Sequence, residues 1–283
     1  MKSFAPVIVL AVCAGFVQAA PITATLNTNM TRYQVNVPTN AEVSLVNNPF
    51  TSDSLAQSPA GTLYSADPSG VIWSVTTVPI PIGPTLQLQI ADLVYGNGGL
   101  WGYSNASQEL FFYDLGTSNV TYAQTLSGTS AYTITGVAYQ ASTGDVYLSG
   151  NTGPNSDTLL HVANSSSTAV SVGAMTNGDS LSYFSDIEFD ATGTLYAMSW
   201  FHRWFYTVST TSAATTLVST GPHRDVTAMA FAVPEPSSAL GLAWGSLILI
   251  RYRRRTSAAK PPGKQDITPI RARERCVEQP LTA

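Results

Sequence analysis

The residues best suited to chemistry in this chain are acidic side chains that recur at related positions. Asp186 and Glu188 alternate along one predicted strand and so share a face, with Asp190 following on the same side. Asp92 occupies the position equivalent to Asp186 in an internal repeat, and Asp225 directly precedes a further copy of that strand. Because Ca²⁺ takes about six to eight oxygen ligands, we consider Asp92, Asp186 and Asp225 candidate calcium ligands. The alternative is that Asp190 caps a turn and the other carboxylates are solvated.

A second candidate is the aromatic stretch SWFHRWFYTV at residues 199–208. A flat indole can cover the apolar face of a sugar ring, so Trp200 and Trp204 could stack on a saccharide while Arg203 bonds its hydroxyls. The alternative is a hairpin whose aromatics pair across strands, with Arg203 at its tip. If the aromatic residues are exposed, the predicted ligand of this stretch is a polysaccharide.

No complete catalytic set is present in the sequence. The tetrapeptide GDSL at residues 178–181 matches an esterase nucleophile block, but it lies in mid-chain and no Asp-x-x-His accompanies it. The three histidines lack metal-ligand spacing. We therefore expect a non-catalytic binding or structural protein. The alternative is an enzyme acting on extracellular polysaccharide, which requires two carboxyl groups roughly 5–10 Å apart.

Composition and charge narrow the class of protein. Charged residues make up only 11% of the chain and hydrophobic residues 44%, a strand-rich rather than a disordered profile. Residues 20–236 carry three arginines against 14 acidic residues, a formal charge of −11 that disfavours nucleic acid. Cys13 and Cys276 both lie outside residues 20–232, so this part has no disulfide and no cysteine-based metal site.

The candidate acidic and aromatic side chains lie within a unit that repeats along the sequence. Four stretches combine a turn with a strand that carries an aromatic residue, with spacings of 37, 46 and 49 residues, at Tyr64, Trp101, Tyr147 and Tyr196. A strand precedes and another follows most of these aromatics, and a variable segment rich in Thr, Ser and Val closes each unit. Four short strands per 40 to 50 residues is typical of a β-propeller blade.

Both ends of residues 20–232 fit the same architecture. The stretch VTAMAF at residues 226–231 repeats the first strand of the unit once more and then stops, while the N-terminal stretch supplies strands without that first strand. Joining them completes a fifth blade and removes exposed sheet edges. We predict an all-β propeller of about five blades closed by both termini; a β-sandwich of the same hairpins is the alternative.

The two ends of the chain resemble export signals. Residues 1–19 combine Lys2, an apolar stretch and small residues before Ala19, which indicates a signal peptide cleaved after Ala19, whereas a buried N-terminal strand or helix is the alternative. Near the other end, Pro234-Glu235-Pro236 precedes an apolar run at 237–250 and an arginine cluster. The cluster comprises Arg251, Arg253, Arg254 and Arg255. A helix of the apolar run would be short for a membrane span, and the arginines would keep their end cytoplasmic.

The order of residues 233–255 resembles the PEP-CTERM sorting signal. This resemblance implies recognition by an exosortase after secretion and delivery to the cell surface or extracellular matrix. The chain departs from the family pattern because residues 256–283, a charged and Pro-rich basic segment predicted to be disordered, follow the arginines. The alternative is an ordinary single-span anchor with a cytoplasmic tail.

Overall fold

The structure is a computed structural model that describes residues 23–28, 31–47, 54–75, 78–153, 156–176, 183–222 and 225–231. All regular elements in these ranges are β-strands, arranged as five four-stranded antiparallel sheets. No helix in this part of the chain is long and apolar enough to cross a membrane. The predicted signal peptide, sorting signal, short transmembrane helix and basic tail lie outside the described residues.

Two blades come from the first half of the chain. Blade 1 consists of β4 (Ala56–Gln57), β5 (Leu63–Ala66), β6 (Ile72–Ser74) and β7 (Ile80–Pro81). Blade 2 consists of β8 (Ile90–Gly96), β9 (Gly99–Ser104), β10 (Glu109–Asp114) and β11 (Asn119–Thr125). In blade 2 the Asn97-Gly98 dipeptide joins β8 to β9, and both residues have positive φ, as a two-residue type I′ hairpin requires.

Two further blades follow with the same strand order. Blade 3 consists of β12 (Thr133–Gln140), β13 (Asp145–Asn151), β14 (Asp157–Val162) and β15 (Val170–Ala174). Blade 4 consists of β16 (Phe184–Phe189), β17 (Leu195–Ser199), β18 (Phe205–Val208) and β19 (Thr215–Ser219). Their first strands are mostly buried or half-buried, whereas no residue of their last strands is fully buried.

Blade 5 is built from both ends of the described chain. It consists of β20 (Ala228–Phe231), β1 (Thr23–Thr28), β2 (Thr31–Asn36) and β3 (Ala41–Asn47). The last strand pairs with the first, for example Ala24 with Phe231, so the C-terminal strand supplies the innermost position of the blade. The prediction of five blades closed by both termini is confirmed.

The innermost strands β4, β8, β12, β16 and β20 contact one another in that order and form the wall of the central channel. Farther out, aromatic pairs join blades 2, 3 and 4 each to the next blade, between an aromatic of the second strand and one of the next blade's first strand. The ring centroids are 5.9 Å apart for Trp101 and Tyr139, 5.6 Å for Tyr147 and Phe189, and 5.3 Å for Tyr196 and Phe231. The repeated aromatics thus build the apolar contacts between blades.

Candidate functional site

A β-bulge recurs near the start of three innermost strands. The pairing register shifts between Ile90 and Asp92 in β8, and at the equivalent places in β12 and β16, leaving Ala91, Thr135 and Ser185 as the extra residues. A bulge inserts one unpaired residue and re-aims the side chains beside it. Here the bulged residues line a pocket at one mouth of the channel, whereas Asp92 and Asp186, which follow them, are buried.

The mouth pocket has a volume of about 240 Å³. Besides the three bulge residues it is lined by Ile90, Asn105, Ile134, Tyr183, Trp200 and Thr227. The rings of Tyr183 and Trp200 lie parallel, with their centroids 5.4 Å apart and 6° between their planes. The pocket therefore combines an aromatic wall with short neutral polar side chains, and no charged residue lines it.

The polar side chains of the mouth pocket are held in place by the protein itself. Asn105 donates from Nδ2 to the Ile134 carbonyl and accepts from the Ile134 N–H, both at 2.8 Å. The Thr135 hydroxyl donates to the Phe184 carbonyl at 2.9 Å and lies 2.8 Å from the Ser149 hydroxyl, which can donate to it. Because a hydroxyl oxygen also carries acceptor lone pairs, Thr135 can still accept a hydrogen bond from a ligand hydroxyl.

Below the mouth, Asp92, Asp186 and Glu188 form a buried carboxyl cluster in which each residue is 1% exposed. Burial raises the pKa of Asp92 to about 8. Burial also raises the pKa of Asp186 and of Glu188 well above their usual ranges, and the charge of Asp92 adds to both increases. Burial therefore favours the protonated, neutral form of all three carboxyl groups.

The buried carboxyl groups also hold neighbouring blades together. Asp92 Oδ2 accepts from the Val137 N–H of blade 3 at 2.7 Å, and Asp186 Oδ2 accepts from the Met229 N–H of blade 5 at 2.6 Å. Asp157 of blade 3 accepts from the Phe184 N–H of blade 4 at 3.3 Å. Burial raises the pKa of Asp157 to about 7. These carboxyls therefore serve as hydrogen-bond bridges between blades.

Gly136 makes room for this cluster between β8 and β16. A Cβ at this position would lie 2.6 Å from the Ile187 nitrogen and 2.9 Å from both the Cα and an Oδ of Asp186. We expect Gly136→Ala to lower the free energy of unfolding by about 1–3 kcal/mol or more, since backbone atoms must move. Urea unfolding measures this, with exposed Gly116→Ala as the control; equal stabilities would contradict the close packing.

The structure brings together only part of the predicted calcium site. Asp92 and Asp186 share the buried cluster. Glu188, which by sequence shares a strand face with Asp186 but was not a candidate calcium ligand, also belongs to it. Asp225 lies exposed instead. Among the described residues, no three His, Cys, Asp or Glu side chains are grouped as a metal ion would need. The structure therefore does not bring Asp92, Asp186 and Asp225 together in one place.

Arg203 is placed differently from the prediction that it bonds a sugar. Its side chain is buried, with Nε donating to Asn40 Oδ1 at 2.6 Å and Nη2 to the Asn40 carbonyl at 2.9 Å. Nη1 donates to Glu42 at 2.9 Å, and the guanidinium lies 5.3 Å from the centre of the Tyr33 ring. Arg203 thus fastens blade 4 to blade 5, and we remove it from the candidate site.

The two predicted stacking tryptophans separate in the structure. Trp200 lines the mouth pocket, whereas the Trp204 ring stacks on the His202 ring with a centroid distance of 4.9 Å and packs against the apolar core shared by blades 3 and 4. Sequence reasoning missed Tyr183, the bulge residues and Asp157. A period-two pattern predicts a strand but cannot locate a bulge, because the extra residue becomes visible only from strand pairing.

Comparisons with known proteins address the fold alone. No family model matches the sequence, and no curated protein matches it. A chain in the crystal structure of a nidogen/laminin complex is similar with a TM-score of 0.51 at 10% identity, covering 76% of this chain and 99% of that one. A chain in the structure of U3-55K has a TM-score of 0.47 at 8% identity, covering 74% and 80%. The first similarity supports the propeller-like fold.

Proposed function

We propose that this chain is an exported, exosortase-sorted protein of the cell surface or extracellular matrix, and that its propeller binds a neutral carbohydrate without catalysis. The observation that carries the binding part is the mouth pocket, where Trp200 and Tyr183 form an aromatic wall beside hydroxyl and amide groups. A sugar ring has the matching surfaces, an apolar face and an edge of hydroxyls.

The lack of charge in the mouth pocket supports a neutral ligand. The acidic side chains nearest to it, Asp92 and Asp186, are buried behind the bulge residues. Arg203 is engaged with Asn40 and Glu42. An ionic sugar would therefore meet no counter-charge among the residues that line the pocket, whereas the hydroxyls of a neutral sugar can find both donors and acceptors.

Replacing Trp200 tests the binding site. We expect Trp200→Ala to weaken binding of neutral trisaccharides of glucose, mannose or galactose about three- to tenfold or more, because one aromatic contact contributes roughly 0.5–1.5 kcal/mol. Calorimetric titration of the purified full chain measures the affinity. Trp204→Ala is the matched control, since Trp204 lies away from the pocket. Equal losses in both variants, or no loss in Trp200→Ala, would contradict the site.

An enzyme acting on polysaccharide is the alternative function. It is favoured by the position of Asp92 and Asp186 next to the bulge residues of the pocket, and by a pKa of Asp92 near that of a useful general acid. Against it stands their burial, which keeps both carboxyls from touching a substrate. Release of reducing ends from a neutral polysaccharide by wild type, abolished in Asp92→Asn, would replace our proposal with this one.

Sorting by an exosortase rests on residues 233–255 and is tested separately. Mass spectrometry of the mature protein from its natural host gives both termini. We expect a chain that starts at Ala20 and ends near residues 234–236. An intact terminus at Ala283 would contradict sorting and favour the single-span anchor, whatever the propeller binds.

A further inference from the structure

A second cavity lies on the flank of the propeller, between blades 2 and 3. This flank slot has a volume of about 180 Å³. One wall is formed by the aromatic rings of Trp101, Phe112 and Tyr122, which are cross-strand neighbours on one face of blade 2. The opposite rim is formed by Asn164, Ser165 and Ser166 of blade 3.

Only one of the first four blades presents such an aromatic wall on this face. Trp101 is followed across the sheet by Phe112 and Tyr122, with ring centroids 5.1 Å and 5.7 Å from that of Trp101. The three equivalent cross-strand positions hold at most one Phe, Tyr or Trp in the other blades. They are Tyr64, Ser74 and Ile80 in blade 1, Tyr147, His161 and Val170 in blade 3, and Tyr196, Thr207 and Thr216 in blade 4. The slot therefore departs from the repeat.

All three rings of the wall are half-buried and line the slot. The rim opposite them is exposed at Asn164 and Ser165 and carries amide and hydroxyl groups, and no charged side chain lines the slot. An apolar wall facing a neutral polar rim suits a ring with one apolar face and a hydroxyl edge. The Ser165 and Ser166 hydroxyls donate to Asn164 Oδ1 and to the Thr168 carbonyl, each at 3.3 Å, and their oxygens can still accept a hydrogen bond from a ligand hydroxyl.

The size of the slot limits its occupant to a single ring. Sites for drug-sized ligands measure roughly 300–1,000 Å³, well above the flank slot. We propose that the flank slot binds one pyranose unit of a neutral polysaccharide, as a second site separate from the mouth pocket. This proposal takes its ligand class from the proposed function, and two sites on one propeller would increase avidity for a long chain.

Tyr122 offers a variant that alters the wall with little effect on the core, because it lies on the exposed outer strand β11. We expect Tyr122→Ala to weaken the flank site about three- to tenfold. Val170→Ala is the matched control, since Val170 occupies the same outer-strand position in blade 3. As a second variant, Ala163→Leu at the exposed rim should obstruct the slot while removing no contact.

Calorimetric titration of the full chain with the same neutral trisaccharides separates the two sites by stoichiometry. We expect two sites in wild type and Val170→Ala. Tyr122→Ala and Ala163→Leu should each weaken one of these two sites, and Trp200→Ala should weaken the other. A single site in wild type that only Trp200→Ala weakens would overturn the flank site and keep the mouth site. A single site that only Tyr122→Ala and Ala163→Leu weaken would keep the flank site and overturn the mouth site. No binding by wild type would overturn both.

Discussion

Raising the pH from 5 to 8 is expected to lower the free energy of unfolding by on the order of 4 kcal/mol through Asp92 alone. Its pKa is about 8 in the folded protein, against roughly 3.9 for an unfolded Asp. The folded state therefore holds a proton that the unfolded state has lost, and stability decreases by about 1.4 kcal/mol per pH unit in this window. The stabilisation is complete only below the unfolded pKa and is lost as the pH rises to 8.

The other buried acids act in the same direction. Burial raises the pKa of Asp157 to about 7, and that of Asp186 and Glu188 rises as well. Asp67 and Asp145 have lowered pKa values, because hydrogen bonds to their charged forms outweigh the effect of burial. Their contributions to the free energy of unfolding are therefore lost only when the pH falls below the ordinary Asp range. Between pH 5 and 8 the acids of the described residues thus predict decreasing stability.

Asp92→Asn isolates the effect of one carboxyl. An amide oxygen can still accept from the Val137 N–H, as Asp92 does, but it cannot lose a proton. We expect the variant to have a shallower pH slope and to be more stable than wild type at pH 8, measured by urea unfolding at several pH values. Asp225→Asn, at an exposed acid, is the control and should keep the wild-type slope. Parallel slopes for wild type and Asp92→Asn would contradict a proton held by this carboxyl.

The largest expected effect of a single substitution is at Arg203, where Arg203→Met should cost about 2–4 kcal/mol, because it leaves two buried acceptors of Asn40 unpaired. The change leaves Glu42 without its ion-pair partner and Asn40 without two hydrogen bonds, at the contact that fastens blade 4 to blade 5. Because those blades meet where the chain termini close the ring, we expect the whole propeller to unfold more readily. Chemical denaturation at pH 7 measures the loss.

Two companion variants make the Arg203 experiment specific. Glu42→Gln should cost only about 0–1 kcal/mol, since Glu42 is partly exposed and the amide still accepts a hydrogen bond. Arg203→Lys should fall between the two, because a single ammonium cannot reproduce the forked guanidinium contacts. If Arg203→Met were as stable as wild type and lost only sugar binding, the original prediction of Arg203 as a ligand contact would be restored.

The architecture could be predicted from the sequence because it depends on local patterns that repeat. The aromatics Tyr64, Trp101, Tyr147 and Tyr196 marked the units, and the unpaired copy at residues 226–231 predicted closure by β20. Turn residues such as Asn97-Gly98 fix hairpins through their own backbone preferences. These signals survive in a single sequence because each involves residues close together in the chain.

The candidate site was predicted less well because it depends on residues from different blades. The sequence made Asp92, Asp186 and Asp225 candidate calcium ligands, but Asp92 and Asp186, which follow β-bulges, accept hydrogen bonds from backbone N–H groups of the next blade. Arg203 appeared free in the sequence because Asn40 and Glu42 lie more than 160 residues away along the chain. Trp200 was a candidate from the sequence and lines the mouth pocket, but its neighbour Tyr183 could be found only in three dimensions.

The central claim, that the mouth of the channel binds a neutral sugar, is tested most directly by the indole N–H signals of the five tryptophans in the ¹H–¹⁵N NMR spectrum of the full chain. Titration with neutral trisaccharides of glucose, mannose and galactose should shift the Trp200 signal saturably with at least one of them, and leave the Trp204 signal in place. A Trp200 signal that stays unchanged at saturating concentrations of all three sugars would contradict the account.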